Sequence, residues 1–435
     1  LNKFIILISL LLIPIPLAYA DNSILQIIKV SGTATIGVQN FDYTVSPAVT
    51  DITKTMIFMS VRHIGDSNEK EVYRSWELIN PTTLRFYGSS NVPANNDALT
   101  FIGYIVEFTS NSDMTSQQGL MTVAGGQANQ EFTDSFTAVN TTSSFFQFLG
   151  QTANHADLTW GVEEFARMRI ISSTSFGYEP FDAPNSGPTD VRYQIIDLAN
   201  NDFFVQRGTA FMPDGTALLT ITPPIAIDRT RTIVFASHML QNGILDAEAD
   251  EHSFTLRVNA LNQLEFDRDD AVCNTPNVCD LQIRWEAVSF PADFVNVQYL
   301  QFDDTVATGA NVQQTGIVNF VPTPVIFANS IAIGTVHTPL GLGQGRSASG
   351  GNGAWDQEAY TVELMDADTV NVVINDGQQL SDVWFQVIEF EQFGAGDINS
   401  GIQQQPSCCF FFIKPLLDWL GSVWTFLLIN SLVFI

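Results

Sequence analysis

Apolar and polar residues alternate along most of the chain, and the alternation closes four times in a similar way. The four endings are Gly103-Tyr-Ile-Val-Glu-Phe108, Arg192-Tyr-Gln-Ile-Ile-Asp-Leu198, Arg284-Trp-Glu-Ala-Val-Ser-Phe290 and Trp384-Phe-Gln-Val-Ile-Glu-Phe390. Each pairs an aromatic with an apolar residue at period two, which predicts a half-buried strand. Upstream of each ending lie a strand, a tight turn and a second strand. The turns are Asn80-Pro-Thr-Thr83, Ser172-Ser-Thr174, Asn259-Ala-Leu-Asn262 and Asp366-Ala-Asp368. Asn, Asp, Ser and Pro each bend the backbone for a known steric or hydrogen-bonding reason. Farther upstream come apolar strands at Met56–Val61, Ser144–Leu149, Thr232–Ser237 and Pro324–Asn329. Short paired strands precede these, such as Ala34–Val38, Gly119–Val123, Gly208–Met212 and Thr315–Phe320.

The order is thus strand, strand, apolar strand, variable loop, strand, tight turn, strand, final strand. One unit takes about 80 to 100 residues, and a pattern met four times in order is an internal repeat. Short strands separated by turns predict an antiparallel sandwich rather than a parallel sheet. The expected fold class is all-β: four tandem antiparallel β-sandwich repeats at 21–110, 111–200, 201–291 and 292–392. Trp76, Trp285 and Trp384 lie inside strands and are expected in the core.

The segments TRTIVFASHML, HSFTLRVNALNQLEF and LQIRWEAVSF, spanning residues 230–290 with gaps, resemble the H-type lectin-like sandwich. Similar modules recur in phage tail-fibre and microbial surface proteins. The resemblance implies an oligomeric sandwich that binds glycans. Four divergent copies in series depart from that pattern, and none of the family's sugar-contacting residues maps onto this chain.

The two ends read differently from the middle. Lys3, the apolar run Phe4–Pro16 and Ala18-Tyr19-Ala20 predict a signal peptide over 1–20. Leu416–Ile435 is an apolar run whose only charge is Asp418, and its length matches a bilayer core. It is expected to be a membrane anchor after a linker at 393–415, with an interfacial helix as the alternative. The chain is strongly acidic, with 46 Asp and Glu against 18 Lys and Arg. That balance lacks the basic footprint of a nucleic-acid binder. It fits surface solubility, adaptation to high salt or binding of divalent cations. Cys273 and Cys279 enclose a short loop and are expected to pair as a disulfide in an exported protein. Cys408 and Cys409 are open to lipidation, intermolecular pairing or no role.

Nothing in the sequence carries a catalytic signature. The five His residues form no HExxH, and there is no GxSxG elbow or phosphate loop. Glu163 and Glu164 beside Trp160 suggest a sugar-cleaving pair, but adjacent residues on a strand point to opposite faces. The expectation is a non-enzyme. The run Asp246-Ala-Glu-Ala-Asp-Glu-His252 offers Asp246, Glu248 and Asp250 as oxygen ligands for calcium, against the plainer reading of a solvated acidic loop. Calcium is the only cofactor this suggests. Trp355, Asp356 and Gln357 follow the Gly-rich stretch 341–353 and form a candidate ligand site. There the Trp would stack on a sugar ring while the polar pair binds hydroxyls. The alternative is that Trp355 caps a sandwich edge.

The expected function is that of an exported, membrane-tethered cell-surface protein binding glycans or cell-envelope components in adhesion. The rival is a structural envelope, fibre or sheath protein that self-associates as a homo-oligomer. The four variable loops differ greatly in sequence, which keeps the rival close.

Overall fold

The computed structural model describes residues 24–34, 40–64, 74–88, 98–110, 112, 114–124, 130–153, 165–180, 189–198, 203–241, 254–268, 280–303, 314–319, 324–338, 341–342, 346–347, 360–374 and 381–391. Contacts separate residues 1–394 from 395–435, and the second stretch lies outside the described residues. So do residues 1–23, with the expected signal peptide. Among the described residues, no helix is long and apolar enough to cross a membrane.

The described chain is all-β and its named strands pair antiparallel. The first quarter holds β1 (Ile24–Ala34), β2 (Asn40–Thr44), β3 (Thr55–Ile64), β4 (Arg74–Asn80), β5 (Thr83–Gly88) and β6 (Ala98–Phe108). The second holds β7 (Thr115–Val123), β8 (Phe132–Ser135), β9 (Ser144–Ala153), β10 (Ala166–Ser172), β11 (Ser175–Pro180) and β12 (Thr189–Asp197). The third holds β13 (Phe204–Met212), β14 (Leu218–Ile221), β15 (Thr232–Gln241), β16 (Thr255–Val258), β17 (Leu264–Asp267) and β18 (Asp280–Ser289). The fourth holds β19 (Val295–Asp303), β20 (Gln314–Asn319), β21 (Ser330–Gly334), the two-residue strands β22 (His337–Thr338), β23 (Gly341–Leu342) and β24 (Arg346–Ser347), then β25 (Tyr360–Leu364), β26 (Thr369–Ile374) and β27 (Ser381–Phe390).

One pairing rule runs through all four quarters. The last strand lies between the first and third, giving β1-β6-β3, β7-β12-β9, β13-β18-β15 and β19-β27-β21. Leaving aside the two-residue strands β22 to β24, the fifth lies between the second and fourth, giving β2-β5-β4, β8-β11-β10, β14-β17-β16 and β20-β26-β25. The turns are closed as their residue types require. Asn80, Asn259 and Asp366 each accept, through a side-chain oxygen, the amide two residues on, and the Ser172 hydroxyl does the same. Trp76, Phe86 and Phe101 fill the first interior, Phe176 and Tyr193 the second, Phe266 and Trp285 the third, and Tyr360 and Phe385 the fourth.

Two sequence expectations need correction. The fourth apolar strand is Ser330–Gly334, not Pro324–Asn329. Phe327–Asn329 is instead a 3-10 turn, matching the turns at Ile52–Lys54 and Arg229–Arg231 that precede β3 and β15. Nor are the final strands half-buried. In β6, Phe101, Tyr104, Ile105 and Val106 are all buried, although neighbours in that strand point to opposite faces. The second face of each final strand packs on a neighbouring quarter.

That second packing closes a ring. Tyr104, Gln194, Glu286 and Gln386 occupy the same position in β6, β12, β18 and β27, opposite the fourth residue of β3, β9, β15 and β21. Gln194 accepts from Ile57 N at 3.0 Å and donates to Thr55 O at 2.9 Å, so its amide acts as one more strand residue beside β3. Gln386 reads Val234 of β15 in the same way, through N and O at 2.9 Å each. Glu286 only accepts, from Phe146 N of β9 at 3.2 Å, and Arg207 supplies the missing donor to Ser144 O. Tyr104 completes the circuit by accepting from Leu364 N of β25 at 2.9 Å. Second binds first, third binds second, fourth binds third and first binds fourth. Near the centre Phe58, Phe145 and Phe235 stack, with Phe235 6.3 Å from Phe58 and 6.0 Å from Phe145. Replacing Gln194 by Leu leaves Ile57 N and Thr55 O buried without partners. A loss of about 2–4 kcal/mol is expected, read from urea unfolding midpoints.

Candidate functional site

Strand direction sorts the connections into two ends. In each quarter the first and third strands run antiparallel to the last, so they finish together where the last begins: Ala34 pairs Leu99, and Ile64 pairs Ala98. The fifth strand also finishes there, beside the starts of the second and fourth: Gly88 pairs Arg74, and Tyr87 pairs Asn40. The connections between the third strand and the strand before the tight turn, which differ most in sequence, therefore leave from one end of each quarter. The tight turns and the 3-10 turns lie at the other. Neighbouring quarters point the same way. Arg192, toward the start of β12, reaches Ser75 at 2.9 Å and covers the Tyr87 ring at 3.5 Å, both at the loop-bearing end of the first quarter. Arg284 of β18 reaches Glu179, near the end of β11, at 2.6 Å. Arg257 of β16 stacks on Trp384 of β27 at 3.9 Å.

None of the sequence-derived site residues is among the described residues. Trp355, Asp356 and Gln357 fall in the connection between β21 and β25. Asp246, Glu248 and Asp250 fall between β15 and β16, and Cys273 and Cys279 between β17 and β18. No cluster of three metal-ligating side chains occurs among the described residues.

The described part of this end is rich in paired charge. Glu131 bridges Arg169 at 2.6 Å and Arg284 at 3.2 Å. Burial raises the Glu131 carboxyl, but the two guanidinium groups outweigh it and hold the group below its ordinary range. Arg62, near the end of β3, is buried, and its Nε and Nη1 have no hydrogen-bond partner among the described residues. Burial alone lowers its proton affinity, and a carboxylate is the natural complement for such a group.

A polar groove of about 440 Å³ opens in the second quarter and is lined by Gln117, Gly119, Asp134, Phe136, Thr137 and Tyr193 among others. Gly119 is required there, because a Cβ would lie 2.2 Å from the Tyr193 ring. Tyr193 donates to Asp134 at 2.6 Å, and burial followed by that carboxylate raises its hydroxyl well above the ordinary range. Gln117 is tied to Thr137 by two hydrogen bonds, so the groove wall is already satisfied.

Sequence reading missed the ring contacts. Their signal was present, as a Gln, Glu or Tyr within each apolar final strand followed by two apolar residues, then an acid or Ser, then Phe or Leu. That later acid has a role too. Glu107 accepts from Thr50 N at 2.6 Å, Asp197 from Asn140 N at 3.0 Å and Glu389 from Ile326 N at 2.8 Å, pinning the segment before the third strand. No protein-family model matches the sequence, and no curated protein does.

Proposed function

We propose that this is an exported, membrane-tethered surface protein, built from four tandem copies of one six-stranded sandwich, that binds glycans or cell-envelope components through its loop-bearing end. The observation that carries the reading is directional. The most divergent connections, between β3 and β4, β9 and β10, β15 and β16, and β24 and β25, leave one end of the ring, while Ile24, where the described chain begins, and Phe390, where its last strand ends, lie at the other. A ring fixed from its short-turn end would present its loops outward, the usual arrangement when a rigid scaffold carries variable binding loops. The likeness to H-type lectin modules supports a glycan as the ligand class. Trp355, Asp356 and Gln357 would stack on and bond the sugar, and Asp246, Glu248 and Asp250 would hold calcium.

The test is binding of the chain lacking residues 406–435 to a broad glycan panel and to isolated envelopes, with and without calcium. Saturable, competable binding that weakens at least about fivefold in Trp355→Ala is expected, since a stacked aromatic is worth more than about 1 kcal/mol. Absence of any ligand, together with ordered self-assembly, would favour the rival reading of a structural envelope or sheath subunit. The divergence of the four loop sequences is the observation on that rival's side.

A further inference from the structure

The junction between the second and third quarters carries an unbalanced group of charges. Arg167 of β10 bonds Glu179 at 2.7 Å, and Arg169 holds Glu131 through two hydrogen bonds, at 2.7 and 2.6 Å. Arg284 of β18 bridges both acids, Glu131 at 3.2 Å and Glu179 at 2.6 Å. Three guanidiniums thus share two carboxylates, which leaves one positive charge over in a chain whose net charge is −28. By contrast, Arg192, Arg257 and Lys29 at the other junctions have one acid each, in Glu77, Glu265 and Glu363.

The surplus charge comes with unused donors. Arg284 is 8% exposed, and its Nε has no hydrogen-bond partner among the described residues; nor has the buried Nε of Arg167. Burial first, then Arg169 and Arg167, lower the proton affinity of Arg284, so an added anion would favour its charged form. Arg169 opens the group to solvent, with its side chain 42% exposed. On β13, Thr209 lies directly opposite Arg284, and Phe211 follows two residues on, on the same face of the sheet. Both are exposed, Phe211 by 50%. Past Phe211 the surface turns acidic again at Asp214 and Asp280, where Asp214 N bonds the Asp280 carboxylate at 2.8 Å.

We propose that this junction binds an acidic sugar, with its carboxylate or sulfate set among Arg167, Arg169 and Arg284 and its ring against Phe211. The site rests on the glycan reading above and adds a ligand class to it. Guanidinium forks match the planar or tetrahedral oxygens of such an anion, and they stay charged at any physiological pH. A free anion would use the arginines alone. Phe211 and Thr209 add an apolar face and a hydroxyl, which is what a sugar ring offers surface to. A long polyanion such as nucleic acid would meet the acidic remainder of the chain, whereas one acidic sugar meets only the positive group.

The full chain in detergent micelles is titrated calorimetrically with a glucuronate-terminated oligosaccharide, a sulfate-terminated one, their uncharged parent and sodium sulfate. At least one acidic oligosaccharide should bind saturably and at least about tenfold more tightly than the parent. Which one binds separates carboxylate from sulfate. Arg169→Gln should weaken that binding about tenfold and Phe211→Ala about fivefold, with urea midpoints nearly unchanged because both side chains are exposed. Equal binding of acidic and uncharged oligosaccharides, or binding that neither variant alters, overturns the site. Sodium sulfate binding as tightly as the acidic oligosaccharides, with Phe211→Ala silent, reduces it to a bare anion site and overturns the sugar. Failure of both acidic oligosaccharides, beside a neutral glycan whose binding falls in Trp355→Ala, overturns this site and leaves the glycan reading standing. No binding of any glycan removes both.

Discussion

Truncating Phe235 to alanine should destabilise the protein by about 4 kcal/mol, the middle of the range for a buried aromatic. Phe235 is 1% exposed and contacts several quarters at once. It stacks on Phe58 of the first, on Phe145 of the second and, at 5.5 Å, on His337 of the fourth. Collapse of the cavity would require the quarters to move together, and the Gln194, Glu286 and Gln386 contacts oppose that movement. An exposed truncation such as Leu261→Ala, at 77% exposure, should stay within about 0.5 kcal/mol. Urea unfolding of the two variants measures the difference. A Phe235→Ala cost as small as that of Leu261→Ala would mean that the quarters do not share a core.

Acid should weaken the fold well before the carboxylates titrate. His238 and His337 are both buried, and burial pushes each down to about 3. His238 sits against Phe165 and Phe254, and His337 against Phe146, Phe148 and Phe235. Among the described residues, neither ring has a hydrogen-bond partner to favour its charged form. In the unfolded chain each takes up a proton near pH 6.5. The folded values lie below the unfolded ones, so stability is fully present above about pH 6.5 and falls as the pH drops toward 3. Two such groups cost about 5 kcal/mol between pH 6.5 and 4.5. Glu286 works against this, because burial raises its carboxyl and the folded state then gains from its protonation. His337→Leu keeps the apolar packing and removes one proton site. Its urea midpoint should fall about half as far as the parent's between pH 7 and 4.5. An unchanged pH dependence would exclude His337 as a source.

The charged outer faces contribute less. Arg85 pairs with Asp42 through two hydrogen bonds, at 2.6 and 2.8 Å, but both groups are largely exposed. The Asp42 carboxyl is held below its usual range first by that hydrogen bond, and an exposed pair of this kind adds little to stability. Stability is concentrated in the four interiors and in the shared centre between them.

The amino-acid pattern by itself determined the strands and their grouping. Alternation in Tyr73–Leu78 and Tyr360–Leu364, closed by Asn80 and Asp366, specifies strand and turn locally, because side-chain direction and turn chemistry depend on near neighbours alone. The pairing order and the ring came only from tertiary structure. Gln194 reads in sequence as a polar break in an apolar strand; its meaning depends on Thr55 and Ile57, more than a hundred residues away. Tyr104 likewise finds its partner in Leu364, at the far end of the folded chain. The same distance explains why Pro324–Asn329 resembled a strand. Its apolar residues match the pattern, but the position is fixed by Glu389 accepting from Ile326 N and by β27 pairing with Ser330–Gly334. Periodicity records which side of a strand is apolar. Which neighbour covers the second side is a long-range packing choice, and only the folded chain makes it.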